Sequence, residues 1–355
     1  MEINKIIKQP IFFERNRVYR IYTGGKPYPE FFGTNEEGDN FFPEEWVASN
    51  IKAINEKVFT DKDGISKVKG TDIYFDDLLT NYKNDLLGNR KYDCLVKILD
   101  SAVRLPAQVH PTKEFSLKNF NSPYGKTESW LVIKKRPHAK IFFGFKKPMG
   151  KDEVMAAFEK SNDDPKYMET VMKYKKARVN DCFLINAGLI HAIGAGCTVI
   201  EIQEPTDFTI EPEGWCAGLK VSESQKYLGL NKDVAFDCFN TDLYGKKAIK
   251  SASIKPKLEK KEKGYKKENL IKYSDTSCFA SNRHTIKNGG SFIPSYGPSV
   301  WICLEGKALI NGDNYQQKFK RGDYFFLPFS AENKFTISTN SKCVLIECLP
   351  SKQDK

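Results

Sequence analysis

Four residues in three short segments have the types and spacing to hold one divalent cation: Gln108, His110, Glu128 and His191. Gln108-Val109-His110 lies in a β-like run, where side chains alternate, so the Gln108 amide and the His110 imidazole point to one face. Pro111 then ends the run, because proline donates nothing to a ladder. Gly125-Lys-Thr-Glu128-Ser-Trp130 is a turn entering a strand and sets a carboxylate at its start. Asn186-Ala-Gly188-Leu-Ile-His191 is a glycine turn that delivers a second imidazole at the base of the next strand. Two imidazoles and two oxygens suit zinc with a position left open for water or substrate. Manganese, iron or cobalt would accept the same mixed set. The chain has only four histidines, and any one taken alone is more often packed or solvated than a ligand. His138, in the basic turn KKRPHAK, reads as solvated, and His284, in SNRHTIKNGG, as surface or linker.

The elements that must position these groups are mostly strands. The sequence has 355 residues, enough for two or three domains, with 25 Phe and 16 Tyr among many Val and Ile; such residues favour sheets. Short apolar runs recur from Leu105 onward: SWLVI, AKIFFGF, CFLIN, TVIEIQ, WICLEGKALI, DYFFLPF and KCVLIECL. Many short strands with turns between them predict barrels or sandwiches. Residues 72–98 read as helical, with Leu78, Leu79, Tyr82 and Leu86 at helix spacing, and residues 151–177 as a charged helical insertion. A weak repeat aligns Asn180–His191 with Gly322–Asn333 without a gap, each a polar turn with Asp entering an apolar strand. It predicts duplicated units. The second copy has Asn333 where the first has His191 and has no QxH pair, so metal chemistry is expected in the first unit alone.

The domains expected are therefore 1–243, holding the metal site, a Lys-rich linker at 244–269, and a second unit at 270–355 without metal ligands. The net charge is +11, but much of the excess falls in Lys246 to Lys267, which reads as a linker or solvated face and not as a nucleic-acid surface. The opening MEINKIIKQPIFFERNRVYRIY lacks the apolar core of a signal peptide, and no run reaches the ~20 apolar residues of a membrane span. The nine cysteines include no CxxC pair and several sit in apolar runs, as expected of reduced core thiols in a cytoplasmic protein.

Taken together, Gln108-Val-His110-Pro111, Lys126-Thr-Glu128-Ser-Trp130, Asn186-Ala-Gly-Leu-Ile-His191-Ala192, VIEIQEPTD and Pro43-Glu-Glu-Trp46-Val-Ala-Ser49 resemble the motifs of the type I mannose-6-phosphate isomerase family, within the cupin superfamily. The resemblance is clear from about Arg17 to Asp207. It implies a mainly β fold of two cupin-type β-barrels or jelly rolls with a small helical insertion. It also implies one zinc ion on Gln108, His110, Glu128 and His191, with Lys126, Glu201 and Asp207 as catalytic candidates. In the run TVIEIQ, Glu201 shares a face with Val199 and Gln203, which permits an interior position. Asp207, after Pro205, is as well explained as a turn former. Two departures stand out. A serine expected two residues before the glutamine ligand is Pro106, and an arginine expected four residues after the aspartate is Glu211. A later lysine falls on Ala217, with Lys220 nearby. An anion in place of a fixed cation should repel phosphate. Lys126, Arg104, Arg136 and Arg178 are the candidate replacements.

The activity implied is interconversion of mannose 6-phosphate and fructose 6-phosphate through an enediol. The alternatives are isomerisation of a non-phosphorylated or different sugar, which Glu211 and Pro106 favour, and a non-catalytic sugar-binding metallo-cupin. The expected partner is a small sugar or sugar phosphate, with no nucleic acid and no membrane, in a monomer or homodimer.

Overall fold

The computed structural model describes residues 3–35 and 38–353. The N-terminal part supplies twelve strands: β1 (Ile11–Phe12), β2 (Arg17–Val18), β3 (Glu44–Val47), β4 (Leu95–Ser101), β5 (Glu128–Lys135), β6 (Lys140–Phe145), β7 (Met172–Lys176), β8 (Cys182–Ile185), β9 (His191–Ile193), β10 (Cys197–Gln203), β11 (Trp215–Cys216) and β12 (Leu219–Lys220). The C-terminal part supplies β13 (Ser253–Ile254), β14 (Lys257–Glu262), β15 (Tyr265–Ile271), β16 (Ala280–Lys287), β17 (Ser291–Phe292), β18 (Ser299–Gly312), β19 (Tyr315–Lys320), β20 (Tyr324–Leu327), β21 (Thr336–Ser338) and β22 (Lys342–Leu349). All named strand pairs are antiparallel.

The sheets stack in four layers. A three-stranded sheet, β7-β6-β9, covers a seven-stranded sheet, β13-β8-β5-β10-β4-β3-β2. The far side of that sheet packs on a second run of seven, β1-β20-β18-β22-β16-β15-β14, and β17, β19 and β21 with the end of β18 form the fourth layer. Alternation along the central strands fixes these layers. In β10, Ile200 and Ile202 join Val96, Ile98, Leu131 and Leu184 against Val300, Ile302, Phe326 and Ile346 of the next sheet. Val199, with Trp130, Leu99 and Phe183, faces the three-stranded side. The fold is thus mainly β, as expected, in open stacked sheets, none of which closes on itself among the described residues.

Long β18 serves two layers because it bends. Its register to β22 shifts between Cys303 and Glu305, and Gly306 adopts φ 80° there, where a Cβ would meet the Lys342 carbonyl at 1.9 Å. Only glycine fits such a bulge.

Four expectations about elements are corrected. Residues 244–269 are not a linker: Gly245–Ala252 is a helix that buries Ala248 and Ala252, followed by β13 and the β14–β15 hairpin. Their lysines are the solvated faces of regular elements, and β14 is an exposed sheet edge, where lysine discourages pairing with another chain. The domain boundaries also cross. β1 pairs with β20 of the second unit, and β13, from the second part of the chain, pairs with β8 of the first. Within 151–177 the helices are Lys151–Lys160 and Tyr167–Val171, while 172–176 is β7. Within 72–98 the helices are Phe75–Asn81 and Lys83–Leu87, and Leu95 begins β4.

Candidate metal centre and cleft

Gln108, His110, Glu128 and His191 come together between the three- and seven-stranded sheets. Gln108 and His191 are opposite each other in an antiparallel bridge, exchanging both backbone hydrogen bonds at 2.9 Å. Glu128 is the first residue of β5 and His191 the first of β9. Gly188 turns the chain into β9 at φ 87°, and its N–H donates to the His110 carbonyl at 2.9 Å. The three motifs therefore meet through backbone pairing, and the ligand atoms of His110, Glu128 and His191 lie within 4.8 Å of one another.

Each histidine is held in one tautomer. His110 Nδ1–H donates to the Phe208 carbonyl at 3.0 Å and His191 Nδ1–H to the Leu189 carbonyl at 2.8 Å. Nε2 of each ring then carries a lone pair. Burial, helped by Lys126, lowers His110 to about 3, although Glu128 opposes this, so the ring is neutral. His110 Nε2 lies 3.0 Å from Glu128 Oε2, and His191 Nε2 lies 3.3 Å from Glu128 Oε1. None of these four buried atoms has a hydrogen-bond partner. Acceptors facing acceptors at that distance repel unless a cation stands among them. The donor set therefore fits a divalent metal, with the carbonyl-bound Nδ1 atoms orienting the ligands. Gln108 is buried beside them and lines the cleft.

The cleft has a volume of about 470 Å³ and is lined by Gln108, Lys126, Glu128, Glu201, Asp207 and Glu211, among others. Glu201 projects inward from β10, with Trp130 Nε1–H donating to its Oε1 at 3.3 Å. Burial and the charge of Glu128 raise the Glu201 carboxyl well above its ordinary value. Glu128 goes the other way and is held well below its ordinary value despite burial, with the Lys126 ammonium 3.8 Å from its Oε2. Two carboxyls in one site are thus driven in opposite directions. Lys126 donates to Thr209 Oγ1 at 3.0 Å and is lowered by burial.

Asp207 is more than a turn former, since it accepts both bonds of a fork from Arg20 Nη2 at 3.0 Å. Arg20 and Lys97 went unnoticed in the sequence. Lys97 is 2% exposed, 3.6 Å from Glu44 and 3.7 Å from Asp207. Burial would lower its ammonium, but Glu44, Glu201 and Asp207 prevail and raise it. Its signal was available: a lysine inside the apolar strand LVKILDS needs buried partners. Arg20 follows the two-residue strand β2 and gave no comparable signal.

Among the described residues, Arg20, Lys97 and Lys126 are the only lysines or arginines lining the cleft. Arg104 is committed to Glu213 at 2.7 Å and Arg136 to Asp39 and Asp100. With Arg178 and Lys220, they lie outside the lining. Glu211 does line it, and burial pushes its carboxyl up to about 8, so at neutral pH it repels an anion less than its formal charge suggests. His138 is exposed, as expected. His284 is not surface: it is buried in β16, 3.0 Å from Glu347 and 2.9 Å from the Tyr265 hydroxyl. All nine cysteines are buried and unpaired. No helix among the described residues is long and apolar enough to cross a membrane.

Fold and site together define a stacked-sheet protein with a buried His-Glu-His group that could hold a metal ion, and its architecture is that of the mannose-6-phosphate isomerases. The crystal structure of the mannose 6-phosphate isomerase from Bacillus subtilis matches with a TM-score of 0.75 over 96% of this chain and 99% of that one, at 20% identity. The apo form from Salmonella typhimurium matches at 0.68 over 97% and 99%, at 13% identity. In sequence, mannose-6-phosphate isomerase ManA of Bacillus subtilis (strain 168) is 25% identical over 259 residues, 72% of this chain and 75% of that protein. The mannose-6-phosphate isomerase of Streptococcus mutans is 29% identical over 205 residues, 57% of this chain and 59% of that protein. No protein-family model matches. The resemblance seen in the motifs thus extends to sequence relatives and to the whole fold.

Proposed function

We propose that this protein is a metal-dependent aldose–ketose isomerase interconverting mannose 6-phosphate and fructose 6-phosphate through an enediol. The observation that carries the reading is the convergence of His110, Glu128 and His191, with buried unpartnered ligand atoms, at the wall of a cleft that also holds Lys126, Glu201 and Asp207. Gln108, His110, Glu128 and His191 are the proposed ligands, and zinc is the metal that best suits two imidazoles and two oxygens. A bound divalent ion supplies Lewis acidity toward the sugar's oxygens.

The chain's own groups do the rest. Glu201, facing into the cleft from β10, is the proposed acid–base group: its carboxylate takes the proton from one of C1 and C2, and the carboxylic acid so formed returns it to the other. Lys126 attracts the anionic substrate, and Asp207, fixed by Arg20, orients its hydroxyls. A second reading, isomerisation of a non-phosphorylated sugar, draws support from Glu211 in the cleft lining.

A coupled isomerase assay on metal-loaded protein, with mannose 6-phosphate, free mannose and a chelated control, tests both. Chelator-sensitive turnover of the phosphate ester is the expected result. Turnover of free mannose alone would transfer the assignment to the second reading. No turnover of either, with one equivalent of metal bound, would overturn the isomerase reading. Replacing Glu201 with Gln is expected to cut turnover by ~10²–10⁴-fold with metal retained; full turnover would remove it from the mechanism.

A further inference from the structure

Arg20 makes more directed contacts than any ion pair with the metal group requires. Nη2 donates to both oxygens of Asp207 at 3.0 Å. Nη1 donates to the Ile54 carbonyl at 3.2 Å and to Asn55 Oδ1 at 3.0 Å. Nε lies 3.1 Å from Glu44 Oε1, and the guanidinium carbon stands 5.2 Å from the centre of the Trp46 ring. Asp207 returns the link, because its Oδ2 accepts from the Ile54 N–H at 3.1 Å. On the other side of the cleft, Glu56 accepts from Ser224 Oγ at 3.2 Å and also from Ser222, at the start of the helix Glu223–Tyr227. Asn55, Glu56, Ser224 and Gln225 all line the cleft. Residues 54–56 are thus a strap across its mouth, tied to Arg20 and Asp207 at one end and to that helix at the other.

We infer that Arg20 is a positioning residue that locks Asp207 and the strap 54–56 into one unit at the cleft mouth, and so sets substrate affinity. The planar fork is what the position needs. Nη2 spans both carboxylate oxygens while Nη1 reaches a carbonyl and an amide oxygen, whereas an ammonium is a single point charge on a flexible stem. With Arg20 gone, Asp207 keeps, among the described residues, the Ile54 N–H and Lys97 at 3.7 Å, and the strap loses the two Nη1 bonds to the Ile54 carbonyl and Asn55 Oδ1. The turnover consequence rests on the isomerase reading; the structural one does not.

The test uses Arg20→Lys, which keeps the charge and so the fold, and Arg20→Gln. Two measurements are made on the full metal-loaded chain: amide hydrogen exchange, and kcat and KM for mannose 6-phosphate. Both variants are expected to speed exchange at Ile54 by ~10-fold or more while β4 and β10 stay protected. KM is expected to rise ~10-fold, more than kcat falls, with Lys failing to rescue. Unchanged exchange at Ile54 in both variants would overturn the inference. So would faster exchange throughout the chain with KM unchanged, which is what a merely structural arginine gives. If wild type turns over no mannose 6-phosphate, the proposed function fails, and KM is replaced by sugar-phosphate affinity from calorimetry: weakened binding with local Ile54 exchange supports the lock, and unchanged binding sinks it.

Discussion

The residues of the cleft separate by environment more than by type. Glu44, Glu128, Glu201, Asp207 and Glu211 are five of the six carboxyls lining one cavity, and their surroundings drive them in opposite directions. Glu44 and Asp207 are held below their ordinary values because Arg20 and Lys97 overcome burial. Glu211 has no such cation bonded to it, and burial raises it from 4.5 to about 8. A carboxyl raised by folding contributes stability below its unfolded value and loses it as pH rises through the folded one, because across that window the unfolded state releases a proton that the native state retains. Glu211→Gln should therefore flatten the fall in stability between about 4.5 and 8 and raise the melting temperature at the upper end. Melting curves across pH check this, and identical pH profiles for variant and wild type would refute it.

At the scale of elements, the short repeat in the sequence proves to be the visible part of a longer one. The two central sheets have corresponding orders, β13-β8-β5-β10-β4-β3-β2 and β1-β20-β18-β22-β16-β15-β14, so β8 matches β20 and β5 matches β18. Register carries the match to residues. Glu201 stands opposite Trp130 and Lys97 in one sheet, and Glu347 opposite Trp301 and Asn282 in the other. By the same register, Glu128 corresponds to Ser299 and Lys97 to Asn282, while the ungapped repeat puts Asn333 at His191. The second unit thus keeps the tryptophan and the inner glutamate but loses the ligands. Asn282, at the position of Lys97, and His284 bond Glu347 at 2.7 and 3.0 Å, so the inner glutamate of the second unit sits in a satisfied polar network. The entry turns also match: Asp181 accepts from the Arg178 N–H at 3.0 Å and Asp323 from the Lys320 N–H at 2.8 Å. Asn180 takes φ 72° and Gly322 φ 86°. A Cβ on Gly322 would meet the Phe31 carbonyl at 2.4 Å, so Gly322→Ala should cost about 1–2 kcal/mol or more. Asn180→Gly should cost little. Denaturant unfolding of the two variants measures the contrast, and an unperturbed Gly322→Ala would count against the tight turn.

The whole molecule has its largest apolar contact between the two central sheets, where one core joins residues from Ile6 to Cys348. Neither unit covers its own outer sheet face, and β1 and β13 each complete the other unit's sheet. The expected consequence is one cooperative unfolding transition for the chain, although 355 residues would accommodate two. Phe326, fully buried in that core against Phe75 and Tyr92, gives the handle. Phe326→Ala should destabilise by about 3–5 kcal/mol, lowering the single transition as a whole when followed by both circular dichroism and tryptophan fluorescence. Two separated transitions, one of them unmoved, would show the units to be independent.

The clustering of His110, Glu128 and His191 was legible because each sits in its own local motif: an alternating strand, a turn entering a strand, a glycine turn. Local backbone chemistry dictates where those side chains point, and the alternation that put Glu201 inward followed from the same period of two. The mainly β character was likewise readable from β-branched and aromatic runs. Tertiary structure alone decided what depends on pairing between distant segments. Lys-rich 244–269 looked like a linker because composition reports the solvated face and not the backbone pairing behind it. His284 looked exposed because its partners, Tyr265 and Glu347, are 19 and 63 residues away. Arg104, Arg136 and Arg178 looked available as substrate cations until the fold assigned them elsewhere. Arg20 gained its place at the cleft through partners as far along the chain as Asp207, 187 residues away, since the charge a pocket presents is set by which ions the fold has already paired.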